Sequence, residues 1–136
     1  KQLEEDFPTR VRTILRFDAQ LARRMYAAGD ILLMPSRYEP CGLAQMIAMR
    51  YGCVPLGRAT GGLRDTIQDV TEAREEGTGF LFEEATLQAF SAALQRALEV
   101  YADPERWLKL QRQGMRQEFS WEKSASQYAR LYLELI

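Results

Sequence analysis

The residues best able to do chemistry in this chain stand together in Ser36-Arg37-Tyr38-Glu39-Pro40-Cys41-Gly42-Leu43. One carboxylate, Glu39, precedes a turn holding a thiol at Cys41 and a residue without a side chain at Gly42. A lone acid so placed can hydrogen-bond a polyol or stabilise developing positive charge. Gly42 lets a ligand approach the backbone because it has no Cβ. A helix beginning here offers unpaired N–H groups and a positive dipole end to an anion. Pro40 suits the helix start, where its fixed φ fits and its missing N–H is not needed. The same punctuation serves ordinary strand-to-helix connections, and one glycine-bearing turn is a weak signal by itself.

Such a turn needs a strand before it and a helix after it. Ile31-Leu32-Leu33-Met34 is a run of four apolar residues, as in a strand covered on both faces, and Met46 to Tyr51 reads as an amphipathic helix. Open α/β sheets bind ligands beyond the carboxyl ends of their strands. Upstream, Val11, Ile14 and Leu15 make Arg10–Arg16 a short strand. Asp18 then caps a helix through Ala28, with Leu21, Met25 and Ala28 on one face, ended by Gly29-Asp30. Downstream, Val54-Pro55-Leu56 reads as a strand of limited pairing because of its proline. Thr60-Gly61-Gly62-Leu63 is a second glycine turn, and Asp65-Thr66 introduces a brief helical turn. Glu72–Thr78 reads as a surface loop and Gly79–Phe82 as a strand.

Three helices complete the chain. The first starts near Thr86, with Leu87, Phe90, Leu94, Leu98 and Tyr101 at spacings of three and four. The second opens on Asp103-Pro104-Glu105 and carries Trp107, Leu108 and Met115. The third starts at Ser120, with Trp121, Ala125, Tyr128, Leu131 or Tyr132, and Leu135 in a stripe. This order predicts an α/β fold: part of a doubly wound, Rossmann-like parallel sheet, with a helical tail over about 104–136 and one domain over 1–136. Right-handed crossovers then bring the Glu39 turn and the Thr60–Gly62 turn to one sheet edge. Two such turns converging argue for a site better than either alone.

Composition narrows the function. With 136 residues, 46% hydrophobic, the chain suits one folded domain. A formal net charge of −1 leaves no nucleic-acid footprint and no polybasic membrane patch. No apolar run approaches the roughly 20 residues that span a bilayer, and Lys1-Gln2-Leu3-Glu4-Glu5-Asp6 is not patterned as a signal peptide. The two cysteines, Cys41 and Cys53, lack metal-ligand spacing, and the chain has no histidine, so zinc and His-based catalysis have no support. Without a histidine to activate it, Cys41 is worth more for its N–H than for its sulfur. A cytoplasmic setting is the natural expectation.

Ser36 to Leu43, with Gln45, Met49-Arg50-Tyr51-Gly52, Val54-Pro55-Leu56 and Thr60-Gly61-Gly62-Leu63-x-Asp65-Thr66, resembles bacterial glycogen synthase and plant starch synthase. These are retaining glycosyltransferases of the two-domain GT-B architecture. The resemblance extends to Tyr26-Ala27-x-Gly29-Asp30, Thr78-Gly79-Phe80-x-Phe82 and Phe119-Ser120-Trp121, so it runs over most of 11–136. Related sugar-nucleotide transferases, which make sucrose, trehalose or glycolipids, usually carry Phe at the Cys41 position and a second Glu where Ile47 stands here. The resemblance therefore implies part of the C-terminal domain of a glycogen/starch synthase-like enzyme. The first two strands of that domain, its basic diphosphate ligands and the whole N-terminal domain are expected outside this chain. The chain alone is expected not to turn over.

The resemblance also assigns roles. Glu39 is the catalytic residue, its carboxylate meeting the donor sugar. The N–H groups of Cys41, Gly42 and Leu43 bind sugar hydroxyls or the diphosphate. Thr60, Gly61 and Gly62 are either part of the diphosphate pocket or a plain glycine turn. The donor is ADP-glucose, with UDP-glucose the alternative, and the acceptor an α-glucan. No other cofactor, no metal, no nucleic acid and no membrane are implied, and the compartment is cytoplasmic, or plastid in a plant parent. Ala44 departs from the Thr or Asn common in the family and cannot hydrogen-bond a phosphate. Gln45 matches the family without a defined role. Arg58 reads as a surface charge, with phosphate contact the alternative. Their helical spacing makes Trp107, Trp121, Tyr128 and Tyr132 core or domain-packing residues rather than sugar-stacking ones. Because the family's C-terminal helix reaches toward the other domain, its apolar stripe is expected to be partly exposed here. A non-catalytic assembly or glucan-binding module is the competing reading: sheet edges left without inner strands favour a homodimer or strand exchange.

Overall fold

The computed structural model describes residues 1–71 and 76–135. Three short parallel strands, β1 (Ile31–Met34), β2 (Val54–Arg58) and β3 (Phe80–Phe82), lie side by side in that order. Leu33 pairs with Leu56, and Leu56 with Phe80. Every strand-to-strand step is a parallel crossover, as the alternation of apolar runs and amphipathic segments predicts. This is the expected α/β fold with part of a parallel sheet.

The central strand β2 is buried along Val54–Gly57 because both faces are covered. On one face Val54, Leu56, Phe80 and Phe82 join Ala93, Ala97 and Val100 of α5 (Leu87–Tyr101) and Trp107 and Leu110 of α6 (Pro104–Met115). On the other, Leu63 and Ile67 lie against Gly57. Pro55, opposite Leu32, is the second residue of this central strand, which pairs on both sides rather than being one of limited pairing. It is buried with its ring against Gly79, and that burial outweighs the ladder bond its missing N–H gives up.

The predicted caps of three helices form. Asp18 accepts from the Leu21 N–H (3.0 Å) at the start of α2 (Ala19–Ala28). Thr86 accepts from Ala89 N–H (3.2 Å), and Asp103 from the N–H groups of Glu105 and Arg106. Trp107 is buried edge-on to Tyr101.

Other expectations need correction. Arg10–Arg16 is not a strand: its apolar residues do not alternate, and the segment pairs with no strand among the described residues. A short helix, α1 (Gln2–Asp6), precedes it. In α5 the buried face is Ala93, Ala97 and Val100, while Leu87 and Leu98 are exposed. The small residues lie where the helix meets the sheet, and the bulky ones flank that contact. Helix α7 (Trp121–Glu134) needs no correction: its N-cap is Ser120, and Trp121, Tyr128, Leu131 and Tyr132 of its stripe are exposed, in line with a face that the rest of a longer protein would cover. Residues 72–75 of the predicted surface loop lie outside the described residues. Its end is not surface: Thr78 is buried, donating its N–H to Gln68 O and accepting from Gln68 N–H.

Candidate active site

Parallel strands place the segments after β1 and β2 at one edge of the sheet, and there the two glycine turns meet. Residues Pro35–Leu43 run from β1 into α3 (Ala44–Arg50), and Ala59-Thr60 run from β2 into α4 (Gly61–Thr66). The Gly62 N–H donates to the Glu39 carbonyl at 3.1 Å. A Cβ on Gly61 would stand 2.1 Å from that oxygen, and one on Gly62 only 1.8 Å from the Cys41 carbonyl oxygen. Only glycines permit this approach. Gly61 also takes φ +45°, in the left-handed region. Thr60, half-buried, caps α4 through its carbonyl, which accepts from Leu63 N–H.

Glu39 is half-buried, and its carboxylate accepts from the Ser36 hydroxyl at 3.3 Å. The side chain folds over Gly42, with Oε1 3.2 Å from where a Cβ would be. Gly42 itself has φ +65°. The helix does not begin at Pro40, as the fixed-φ argument predicts. It begins at Ala44, capped by the Leu43 backbone, and Pro40 shapes the exposed loop instead. That later start frees the chain at Cys41, Gly42 and Leu43. Among the described residues, none accepts a hydrogen bond from their three N–H groups.

Two side chains outside the predicted set hold this loop. Arg58, at the end of β2, donates to Ser36 O (2.8 Å), to Arg37 O and to Glu83 O (3.5 Å). It is neither a free surface charge nor aimed at the turn amides, because main-chain carbonyls occupy its guanidinium. Gln45 is wholly buried and gathers carbonyls of the loop through its amide. A polar residue one position into a helix otherwise lined by Ala48 and Met49 was the available signal. The two thiols differ. Cys41 is exposed, whereas Cys53 is buried, and burial, with Asp30 nearby, pushes its thiol up to about 11.

Chemically, the edge offers one carboxylate beside a row of unpaired main-chain donors. That suits a sugar carrying a phosphate leaving group, where departing charge needs donors more than a general base. The profile of the glycosyl transferases group 1 matches residues 3–113. The chain belongs to that family. It is 49% identical over 135 residues to a glycogen synthase of Syntrophotalea carbinolica, covering 99% of this chain and 28% of the relative. A glycogen synthase 2 of Geobacter sulfurreducens is 53% identical over 118 residues, 87% of this chain and 24% of that one. The catalytic domain of starch synthase IV from Arabidopsis thaliana, solved bound to ADP and acarbose, superposes with a TM-score of 0.86 at 42% identity, over 98% of this chain and 28% of that one. A sucrose-phosphate synthase from Thermosynechococcus elongatus gives 0.69 at 31% identity, over 98% and 33%. This group 1 chain thus spans about a quarter of the length of the glycogen synthases it matches.

Proposed function

We propose that this chain is part of the nucleotide-sugar-binding domain of a retaining glycogen/starch synthase-like enzyme. In this reading, glucose passes from ADP-glucose to the non-reducing end of an α-1,4-glucan. The observation that carries the reading is the juxtaposition of the Glu39 carboxylate with the unpaired N–H groups of Cys41, Gly42 and Leu43. The amides take the diphosphate and stabilise charge as the sugar–phosphate bond breaks, while Glu39 holds the glucosyl unit. The Thr60-Gly61-Gly62 turn forms the adjoining wall of the diphosphate pocket. A phosphate oxygen assists an acceptor hydroxyl that enters on the leaving group's face, so catalysis is mainly positioning and electrostatics. The starch synthase neighbour, solved with ADP, supports ADP-glucose over UDP-glucose as the donor. The reading needs no further cofactor. Helix-borne Tyr128 and Tyr132 serve packing against the rest of the enzyme, within one domain that includes residues 1–136. A cytoplasmic setting, or a plastid one in a plant parent, fits the two free thiols.

Radiolabelled ADP-glucose transfer tests this reading. The full-length protein carrying this chain should elongate glycogen, and the 136-residue chain alone should not. Elongation by the isolated chain, or a clear preference of the full-length protein for a non-glucose donor, overturns it. The second outcome would favour the sucrose-type reading, against which Ile47 stands. A separate observation concerns assembly: β1 pairs only with β2 among the described residues, leaving its outer edge open. In isolation the chain should dimerise through that edge, and light scattering showing only monomer at high concentration contradicts this.

A further inference from the structure

Gln45 is 0% exposed, an unusual place for a carboxamide. Its Nε2 lies 3.2 Å from Cys41 O, 3.0 Å from Gly42 O and 3.1 Å from Thr66 Oγ1. Thr66 gives its own proton to the Gly62 carbonyl, so toward Gln45 it is an acceptor. All three partners need a donor, which fixes the NH2 end of the amide toward the loop. The other end, Oε1, has no partner among the described residues and presses against Gly42, 2.8 Å from its Cβ position. An apolar residue of that shape would avoid the orphaned oxygen. What only the amide supplies is two N–H protons, shared among the two consecutive carbonyls and the Thr66 oxygen.

The peptide units here are trans, so each C=O points opposite to the N–H of its own unit. Drawing the Cys41 and Gly42 carbonyls inward turns the N–H groups of Gly42 and Leu43 outward. Gly42 at φ +65° followed by Leu43 at φ −107°, ψ −20° is the alternation of hand that sets successive N–H groups on one side, a concavity suited to anions. We propose that Gln45 is a positioning residue that aims these two amides at the donor diphosphate, and that Thr66 locks the same amide to the Gly62 turn. This rests on the functional reading above.

The test uses the full-length protein with Gln45→Met, Thr66→Val and Thr66→Ser, measuring ADP affinity by calorimetry, KM for donor and for glucan, and Tm. Gln45→Met should weaken ADP binding and raise the donor KM about tenfold, with the glucan KM within about twofold of wild type. Thr66→Val should cost about threefold in ADP affinity, and Thr66→Ser should restore it. If Gln45→Met does not fold, the Thr66 pair decides. Folded variants with wild-type ADP affinity, or a lowered Tm with both KM values unchanged, overturn the proposal. A wild-type protein that fails to bind ADP overturns the functional reading instead, and this inference with it.

Discussion

Every buried residue described lies between Gln45 and Gly114, and none lies in 1–44 or 115–135. The middle of the chain is a packed unit of β2, β3, α5 and α6, closed over Leu56 and Phe80. The flanks are different. Helix α2 has an intact cap and an amphipathic pattern yet no fully buried residue, and Phe17 and Trp121 are 96% and 83% exposed. Local signals form helices in both regions, but only the middle closes into a buried core, while α2 makes partial contact such as the Tyr26–Tyr51 ring stack. The Glu39 loop belongs by position to the first flank. It is nevertheless held to the packed unit by Arg58, Gln45 and the Gly61-Gly62 contact. A carboxylate in a poorly packed segment is thus fixed by hydrogen bonds and glycine approach rather than by burial of the loop.

The contrast is broken most directly in the core. Phe80→Ala should cost about 3–5 kcal/mol in denaturant unfolding of this chain, since Phe80 is fully buried between sheet and helices. A loss under about 1 kcal/mol would mean the middle is not the stabilising unit. At the seam, Gly62→Ala must move the Cys41 carbonyl, which leaves no room for a methyl group. A loss of about 1–3 kcal/mol is expected, together with faster proteolysis within 35–43. Unchanged protection there would show that the two turns are not coupled.

The cysteines sharpen the same comparison, one on each side of the boundary. At pH 8 Cys41 should react readily with a thiol reagent in the folded chain, and Cys53 only after unfolding. The raised Cys53 thiol adds stability that is full below about pH 9 and is lost as the pH climbs through about 11, because only the unfolded thiol ionises freely in that window. Equal labelling of both thiols in folded protein contradicts the assignment. The smallest effect is expected in the tail, where Trp121→Ser should change the stability of this chain by less than about 0.5 kcal/mol. A loss above 1 kcal/mol would place the α7 stripe in contact with the packed unit.

What was legible in the sequence follows the same boundary. Strands β1 to β3 and the caps of α2, α5 and α6 could be read from apolar runs and from Asp18, Thr86 and Asp103, because these signals are local. The convergence of the Glu39 and Gly61 turns could be read from strand order and crossover hand. Pro55 in a central strand could not, since its burial depends on Gly79 and on helices far along the chain. The true start of α3 at Ala44 was also hidden, because Pro40 carries the stronger local start signal. Gln45 and Arg58 escaped as loop holders for a shared reason: their partners are carbonyl oxygens, which leave no mark in side-chain patterns.

The central claim is that Glu39 and the amides of Gly42 and Leu43 face one glucosyl diphosphate. A crystal structure of the full-length protein with ADP bound tests it most directly. The account predicts diphosphate oxygens about 2.7–3.2 Å from the Gly42 or Leu43 nitrogen, with the Glu39 carboxylate lining the adjoining sugar space. A diphosphate seated elsewhere, with those amides bonded to water or protein, would contradict it.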